Sequence, residues 1–152
     1  MLVFQSEPLS QSIEVTGPIT VKLWASSSAR DTDFTAKLLD VYPPNADYAD
    51  GFAMNLTDSI IRARYRNGYT KPELLVPNEV AEFTFELYPT SNLFTAGHCI
   101  RLDISSSNFP RFDVNPNTGG PLGSERRIEV AHQAIYLDAA RPSHVVLPVM
   151  ER

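Results

Sequence analysis

The sequence is poor in cysteine and has no long apolar segment. Its single cysteine, Cys99, excludes a disulfide within the chain, and the alternating residues around it favour a small side chain buried on a strand. No apolar run approaches the roughly 18 residues of a membrane-spanning helix, so no membrane partner is expected. No basic and apolar secretory leader is visible, which together with the lack of disulfides favours a cytoplasmic location.

The sequence also lacks an excess of positive charge. It has 13 Lys and Arg residues against 18 Asp and Glu residues, for a formal net charge of −5. Surfaces that bind nucleic acid usually carry a basic excess, so nucleic acid is not an expected partner.

Helical periodicity is absent as well, because apolar residues never recur at helical spacing over two turns. Period-two alternation instead marks about eight to ten segments, most clearly where Phe83, Phe85 and Leu87 alternate with Glu82 and Glu86. Twelve prolines against seven glycines are typical of a chain with many turns. These patterns predict an all-β fold, an antiparallel two-sheet β-sandwich of the jelly-roll type, in a single domain over residues 1–152.

Several strand boundaries follow from turn and breaker residues. Gly17 and Pro18 are predicted to turn or bend the chain after a short strand over residues 13–15. Residues 52–56 and 60–65 are predicted to form two separate strands, and residues 90–97 one short helical turn. A further strand is predicted over residues 128–137.

The stretch over residues 100–120 organises the rest of the chain. Its first part alternates as a strand, and a long polar loop follows that carries Phe109, Phe112 and a terminal Gly-Gly pair. Loops of this length in compact domains are usually functional or disordered, and the aromatic residues argue against disorder. The sequence therefore predicts a rigid strand that delivers an ordered loop with aromatic side chains.

No catalytic motif is recognisable. The nucleophile elbow G-x-S-x-G is absent, and the fragment from Gly120 to Ser124 has the wrong spacing. His98, His132 and His144 each lie on or beside a predicted strand, without a partner at metal-ligand spacing. We therefore expect structural histidines, no catalytic residue, no metal and no cofactor.

Asp113, Asn115 and Asn117 have the spacing of a calcium loop. An EF-hand would place Gly and Glu where this chain has Thr118 and Ser124, and no flanking helices are predicted. Bonding of these side chains to their own backbone in turns is the favoured interpretation.

Two further polar sets have a functional and a structural interpretation. Five aspartates near one predicted hairpin could act as paired acids in glycoside chemistry, but solvated turn residues are favoured. They are Asp31, Asp33, Asp40, Asp47 and Asp50. Arg62, Arg64 and Arg66 are predicted to form a basic stripe on one strand face, either a polar outer face or one that pairs with acidic groups of another domain.

Seven segments, in this order, resemble the C-terminal domain of the X-prolyl dipeptidyl-peptidase and cocaine-esterase-like serine hydrolases. The resemblance covers nearly the whole chain, and the joint specificity of the segments is high. They are residues 15–18, 26–38, 61–66, 97–98, 104–110, 115–119 and 142–148.

This resemblance implies a galactose-binding-like jelly roll attached to an α/β-hydrolase domain that carries the Ser, Asp and His of the catalytic triad. Family members have further segments before this domain, so Met1 looks like a truncation boundary that leaves a sheet edge uncovered. The loop over residues 45–50 is longer than the usual turn of the family.

The function implied by the resemblance is that of a non-catalytic domain of a serine hydrolase acting on acyl esters or prolyl peptides. It would pack on the hydrolase domain and help shape the substrate cleft, and its exposed apolar surface leaves a homo-oligomer open. The residues expected at the interdomain or cleft contact are Asn108, Phe109, Arg111, Phe112, Asp113, Asn115 and Asn117.

The alternative function is a stand-alone carbohydrate-binding module, because the fold resembles sugar-binding sandwiches. Sugar recognition would need aromatic faces on one exposed surface. The candidates are Trp24, Tyr48, Tyr65 and Tyr69.

Overall fold

A computed structural model describes residues 1–150 as nine β-strands and one 3₁₀ turn at Ala63–Tyr65. Among these residues no helix has the length and apolarity needed to traverse a bilayer. The strands in chain order are β1 (Leu2–Gln5), β2 (Ile13–Ser27), β3 (Asp33–Tyr42), β4 (Phe52–Arg62), β5 (Ala81–Phe94), β6 (Cys99–Ser105), β7 (Gln133–Tyr136), β8 (His144–Val146) and β9 (Val149–Met150).

The strands form two antiparallel sheets that pack face to face. One sheet has the order β1-β6-β3-β4, and in the other β2 lies between β5 and a line of three short strands, β7, β8 and β9. The predicted all-β sandwich of the galactose-binding-like, jelly-roll type is therefore confirmed.

The core lies between the sheets and is built by period-two alternation. In β5, Phe83, Phe85 and Leu87 point inward, whereas Thr84 and Glu86 are exposed. Phe83 meets Phe34 of the opposite sheet with ring centroids 4.8 Å apart. Fully burying such a side chain contributes about 1.5–3 kcal/mol, so these alternating positions hold the two layers together. Cys99 is a buried free thiol at the start of β6, as predicted.

The predicted bend at Gly17 and Pro18 is present, but the prediction of a separate short strand over residues 13–15 is wrong. β2 runs unbroken from Ile13 to Ser27, and its pairing with β5 shifts register between Gly17 and Ile19. Gly17 has φ +133°, a conformation that an L side chain rarely adopts. A β-bulge absorbs the glycine and the proline, so the chain bends without leaving the sheet.

Three other boundaries are also wrong. Residues 90–97 hold no helical turn, because β5 continues to Phe94, which pairs with Ile13. Residues 52–62 form one strand, and the chain then leaves the sheet in the 3₁₀ turn, whose first N–H donates to Thr32 O at 2.9 Å. The last long strand predicted over residues 128–137 is a strand only at Gln133–Tyr136.

The strand directions define two ends of the sandwich. The β3–β4 hairpin and the β5–β6 connection lie at one end, because Cys99 at the start of β6 pairs with Val41 near the end of β3. The long loop over residues 106–132 leaves the opposite end, where β6 pairs with the start of β3. We call these the hairpin end and the loop end.

Candidate functional site

The long loop is anchored to the sandwich by the buried carboxylate of Asp58. This β4 residue is 5% exposed, and its Oδ2 accepts a hydrogen bond of 3.1 Å from Asn108 Nδ2. Arg111 Nε lies 2.8 Å from Asp58 Oδ1 in an ion pair, although its N–H does not point at that oxygen. A buried charge needs such a partner, so the first turn of the loop is held against β4.

Arg111 also stacks on aromatic rings. Its guanidinium carbon lies 5.7 Å from the ring centroid of Tyr88 and 5.6 Å from that of Phe112. Beside them Phe109 is 68% exposed and Tyr88 is 58% exposed. Exposed aromatic rings around an arginine are the composition of an interaction surface. We call Tyr88, Asn108, Phe109, Arg111 and Phe112 the Arg111 patch.

The structure separates the remaining expected contact residues from this patch. Asp113 is exposed and lines, with Arg62, a cavity of about 640 Å³ in which no residue of the Arg111 patch takes part. Asn115 is 3% exposed and lies inside the protein. Asn117 has φ +65°, and its amide donates to Glu129 O at 2.8 Å, so it shapes a turn.

Asn115 belongs to a buried polar cluster that ties the middle of the loop to the start of β3. Its Nδ2 donates to Asp31 Oδ2 at 3.0 Å and to Asp33 Oδ1 at 2.8 Å, while its Oδ1 accepts from Asn117 N–H. Arg64 Nε donates to Asp31 Oδ2 at 2.8 Å, and Arg62 donates to both oxygens of Asp33. The side-chain hydrogen bonds that Arg62 donates to Asp33 are the main cause that raises the pKa of the Arg62 guanidinium.

This cluster overturns two predictions. Asp31 and Asp33 are not solvated, because they are 0% and 1% exposed, and Asp40 at 1% is not solvated either. The arginines do not form a stripe on a strand face, since Arg64 lies in the 3₁₀ turn and is 6% exposed. Arg66 Nη1 donates to the backbone carbonyls of Ala63 and Glu73 at 3.1 and 2.6 Å.

The sequence did not indicate that these aspartates are buried and paired, because their partners are distant in the chain. Asp33 and Arg62 are 29 positions apart, and Asp31 and Arg64 are 33 positions apart. A signal was available once β3 and β4 are paired, since Asp33 then stands directly opposite Arg62. Opposite charges facing each other across two strands favour an ion pair over two solvated side chains.

The hairpin end holds the arrangement nearest to a catalytic set. His98 Nδ1 lies 2.8 Å from Asp40 Oδ1, and the other oxygen of Asp40 accepts from Asn92 Nδ2 at 3.2 Å. Within residues 1–150 no serine, threonine or cysteine side chain is hydrogen-bonded to the His98 ring, whose face packs on Tyr42 at 4.2 Å. An acid and an imidazole without a nucleophile do not make a triad.

Metal binding has no support in the part of the chain described. No group of three or more His, Cys, Asp or Glu side chains in residues 1–150 could hold an ion. The favoured interpretation of the Asp113-x-Asn115-x-Asn117 spacing holds for the turn in which Asn115 Oδ1 accepts from Asn117 N–H, whereas the bonds of Asn115 Nδ2 to Asp31 and Asp33 were not predicted.

The four aromatic residues considered for sugar binding do not share a surface. Trp24 pairs across strands with Tyr136 on the second sheet. Tyr48 lies at the hairpin end, and Tyr65 and Tyr69 lie beyond β4 with ring centroids 6.1 Å apart. These four side chains therefore do not make a common platform.

The sandwich is open along one side. β1 pairs with β6 on one edge only, and Leu2 and Val3 are each 47% exposed. Between β1–β6 and β7–β8 lies an apolar cavity of about 400 Å³, lined by Phe4, Leu102 and Val145 among others. An uncovered apolar surface of this kind is typical of a contact face.

Two antiparallel sheets that pack face to face define a class, the β-sandwich domain. Within that class the chain belongs to the family of X-Pro dipeptidyl-peptidase C-terminal non-catalytic domains, which matches residues 1–146. The family resemblance seen in the sequence is thereby confirmed.

Relatives of the chain are larger hydrolases. The cocaine esterase of Rhodococcus sp. (strain MB1 Bresler) is 44% identical over 154 residues, which cover 100% of this chain and 26% of that enzyme. The structure of an α-amino acid ester hydrolase matches with a TM-score of 0.91 and 34% identity, over 98% of this chain and 25% of that one.

An aminopeptidase from a marine sediment Thaumarchaeota archaeon matches with a TM-score of 0.92 and 31% identity, over 99% of this chain and 26% of that one. The chain thus spans about a quarter of the length of the relatives it matches.

Proposed function

We propose that the chain is the C-terminal domain of a serine hydrolase that acts on acyl esters or prolyl peptides. Its role is to pack on an α/β-hydrolase domain and to help wall the substrate cleft. The observation that carries this proposal is the family match over residues 1–146 in a chain whose residues 1–150 hold no catalytic set. The relatives include an esterase, an ester hydrolase and an aminopeptidase, which supports ester or peptide substrates.

The Arg111 patch is the proposed contact with the hydrolase domain. Phe109 and Tyr88 offer apolar area at 68% and 58% exposure, and Arg111 offers a guanidinium whose side chain is 54% exposed. Aromatic and arginine side chains of this kind supply most of the energy of interfaces when they become buried. The anchor on Asp58 holds Arg111 in place before contact, which lowers the entropy cost of binding.

The open side of the sandwich is a second surface that the larger enzyme would cover. Apolar side chains of the hydrolase domain would fill the apolar cavity between β1–β6 and β7–β8. Its backbone would pair with the free edge of β1. Contacts between domains of one chain typically bury about 600–1,500 Å², and we propose that both places together form such a contact.

A chimeric enzyme tests the proposal. In the chimera, this chain replaces the C-terminal quarter of the Rhodococcus cocaine esterase. The match covers 100% of this chain and 26% of that enzyme. Arg111→Ala in the chimera is expected to lower the Tm, because the buried Asp58 carboxylate loses its ion-pair partner and the interdomain contact loses an arginine. It is also expected to lower kcat/KM for an ester substrate, because the cleft wall shifts.

Arg141→Ala is the matched control. Arg141 also stacks on a tyrosine and pairs with an aspartate, but it lies away from the long loop, and its side chain is 39% exposed. The control should leave kcat/KM unchanged. Equal effects of the two substitutions, or a chimera no more stable than the esterase without its C-terminal quarter, would contradict the proposal.

A further inference from the structure

Two aromatic side chains stand side by side in solvent at the hairpin end. Tyr48 is 50% exposed and Phe52 is 40% exposed, and their rings stack with centroids 4.9 Å apart and an interplanar angle of 27°. Behind this pair, the ring of Tyr42 lies 6.1 Å from that of Phe52 and 4.2 Å from that of His98. His98 in turn contacts the buried carboxylate of Asp40. Exposed rings backed by a packed row form a rigid surface.

The turn that carries Tyr48 is closely specified. Asn45 Oδ1 accepts hydrogen bonds from the N–H groups of Asp47 and Tyr48 at 2.9 and 3.0 Å, and Tyr48 O accepts from Asn45 and Gly51 N–H. Gly51 has φ +79°, and a Cβ there would come within 2.6 Å of Tyr42 O. The turn therefore presents the outer face of Tyr48 in a fixed position.

The surroundings of this aromatic pair are acidic. Asp47 and Asp50 flank Tyr48 in the turn, both are exposed, and neither carboxylate is paired within residues 1–150. No Lys or Arg occurs between Lys37 and Arg62 in the sequence. A partner for this surface should therefore be positively charged.

At two other places in this protein, an arginine side chain lies over a tyrosine ring and pairs with an aspartate. Arg141 stacks on Tyr136 at 4.0 Å and pairs with Asp138 at 2.8 Å. Arg111 lies over Tyr88 at 5.7 Å and pairs with Asp58 at 2.8 Å. Tyr48 and the aspartates beside it match these sets, but within residues 1–150 no arginine stacks on Tyr48 or pairs with Asp47 or Asp50.

We propose that the hairpin end binds an arginine side chain of a partner polypeptide, with the guanidinium on the face of Tyr48 and paired to Asp47 or Asp50. A flat guanidinium suits this surface better than the point charge of lysine, because it stacks and donates in the same plane. The site lies at the hairpin end and shares no residue with the Arg111 patch, which is anchored on Asp58 in the middle of β4, so it does not rest on the function proposed above.

The test uses short peptides and NMR of the 152-residue chain. The peptide acetyl-Gly-Arg-Gly-amide is titrated into ¹⁵N-labelled protein, and the same is done with the citrulline peptide, which has a similar shape but no charge. The arginine peptide should shift the amide signals of residues 45–52 and bind about fivefold more tightly than the citrulline peptide. The shifts should diminish in 1 M salt.

Two variants and a control locate the site. Tyr48→Ala and the double variant Asp47→Asn/Asp50→Asn should each abolish the preference for arginine, while the spectrum shows that the fold is kept. Tyr69→Ala removes a tyrosine that is even more exposed, at 85%, and that lies beyond the other end of β4, and it should change nothing. Equal binding of the two peptides, shifts outside residues 45–52, or the same shifts on titration with galactose would overturn the proposal.

Discussion

The residue that shows best how this fold handles buried charge is Asn115. It is an uncharged donor placed between two buried carboxylates, each of which has its own arginine. A third charge at this position would break the balance of two acids and two bases, whereas the amide satisfies one oxygen of each acid. The sequence did not reveal this role, because the spacing of Asp113, Asn115 and Asn117 says nothing of acids more than 80 positions away.

Asn115→Ala is predicted to destabilise the domain. The substitution leaves two buried carboxylates each short of one donor, and an unsatisfied buried group costs about 1–3 kcal/mol. Urea unfolding should show a lower midpoint with an unchanged slope. Asn55→Ala, at an exposed strand position, is the control and should stay within about 0.5 kcal/mol of the parent. A loss of unfolding free energy no larger than that of the control would show that the hydrogen bonds of Asn115 to Asp31 and Asp33 do not stabilise the domain.

The pKa of Asp138 is predicted to depend on Arg141. The hydrogen bond from the Arg141 side chain is the main cause that lowers the pKa of this carboxyl. Because the folded-state pKa is the lower one, the stabilisation is present above the unfolded-state pKa and is lost as pH falls through the folded-state pKa.

Arg141→Met should raise the pKa of Asp138 toward its ordinary value in an NMR titration of the carboxyl carbons. Glu125 is the internal reference, because its pKa is lowered chiefly by the backbone N–H of Arg127 and should not move. An unshifted Asp138, or an equal shift at Glu125, would show that the Arg141 contact is not formed in solution.

Strands were predictable from the sequence where alternation alone decides them, as in the Phe83, Phe85 and Leu87 half of β5. Strand boundaries were not predictable where pairing with another strand determines how far a strand extends. The second half of β5 stays extended because β2 continues through its bulge and offers a partner as far as Ile13. The 3₁₀ turn replaces the end of a strand because Asp31 accepts from both the backbone N–H and the side chain of Arg64. Tertiary hydrogen bonds override local propensity at each of these places.

The β3–β4 hairpin is predicted to depend on the glycine at position 51. Gly51→Ala should cost more than Gly123→Ala, although the two residues have φ +79° and +75°. The left-handed conformation alone costs about 1–2 kcal/mol in each variant. A Cβ at position 51 would also come within 2.6 Å of Tyr42 O, whereas one at position 123 has nothing within 4 Å. Equal losses in urea unfolding would mean that the turn relaxes around the new side chain.

At the scale of the whole molecule, the candidate site could be predicted only in part. The sequence pointed to the long loop, and the structure brings Asn108, Arg111 and Phe112 together around Asp58 and Tyr88. Neither Asp58 nor Tyr88 was predicted, because they lie on β4 and β5 and meet the loop only in the folded protein. The open side between β1–β6 and β7–β8 is likewise a property of the assembled sheets.

Hydrogen–deuterium exchange at residues 107–114, compared between the isolated chain and the esterase chimera, tests the docking of this domain most directly. Amides buried in an interdomain contact open less often, so their exchange should be slower in the chimera by about tenfold or more. Exchange at residues 45–51 of the hairpin end should be the same in both proteins. Equal exchange at residues 107–114 in a folded, active chimera would contradict the account.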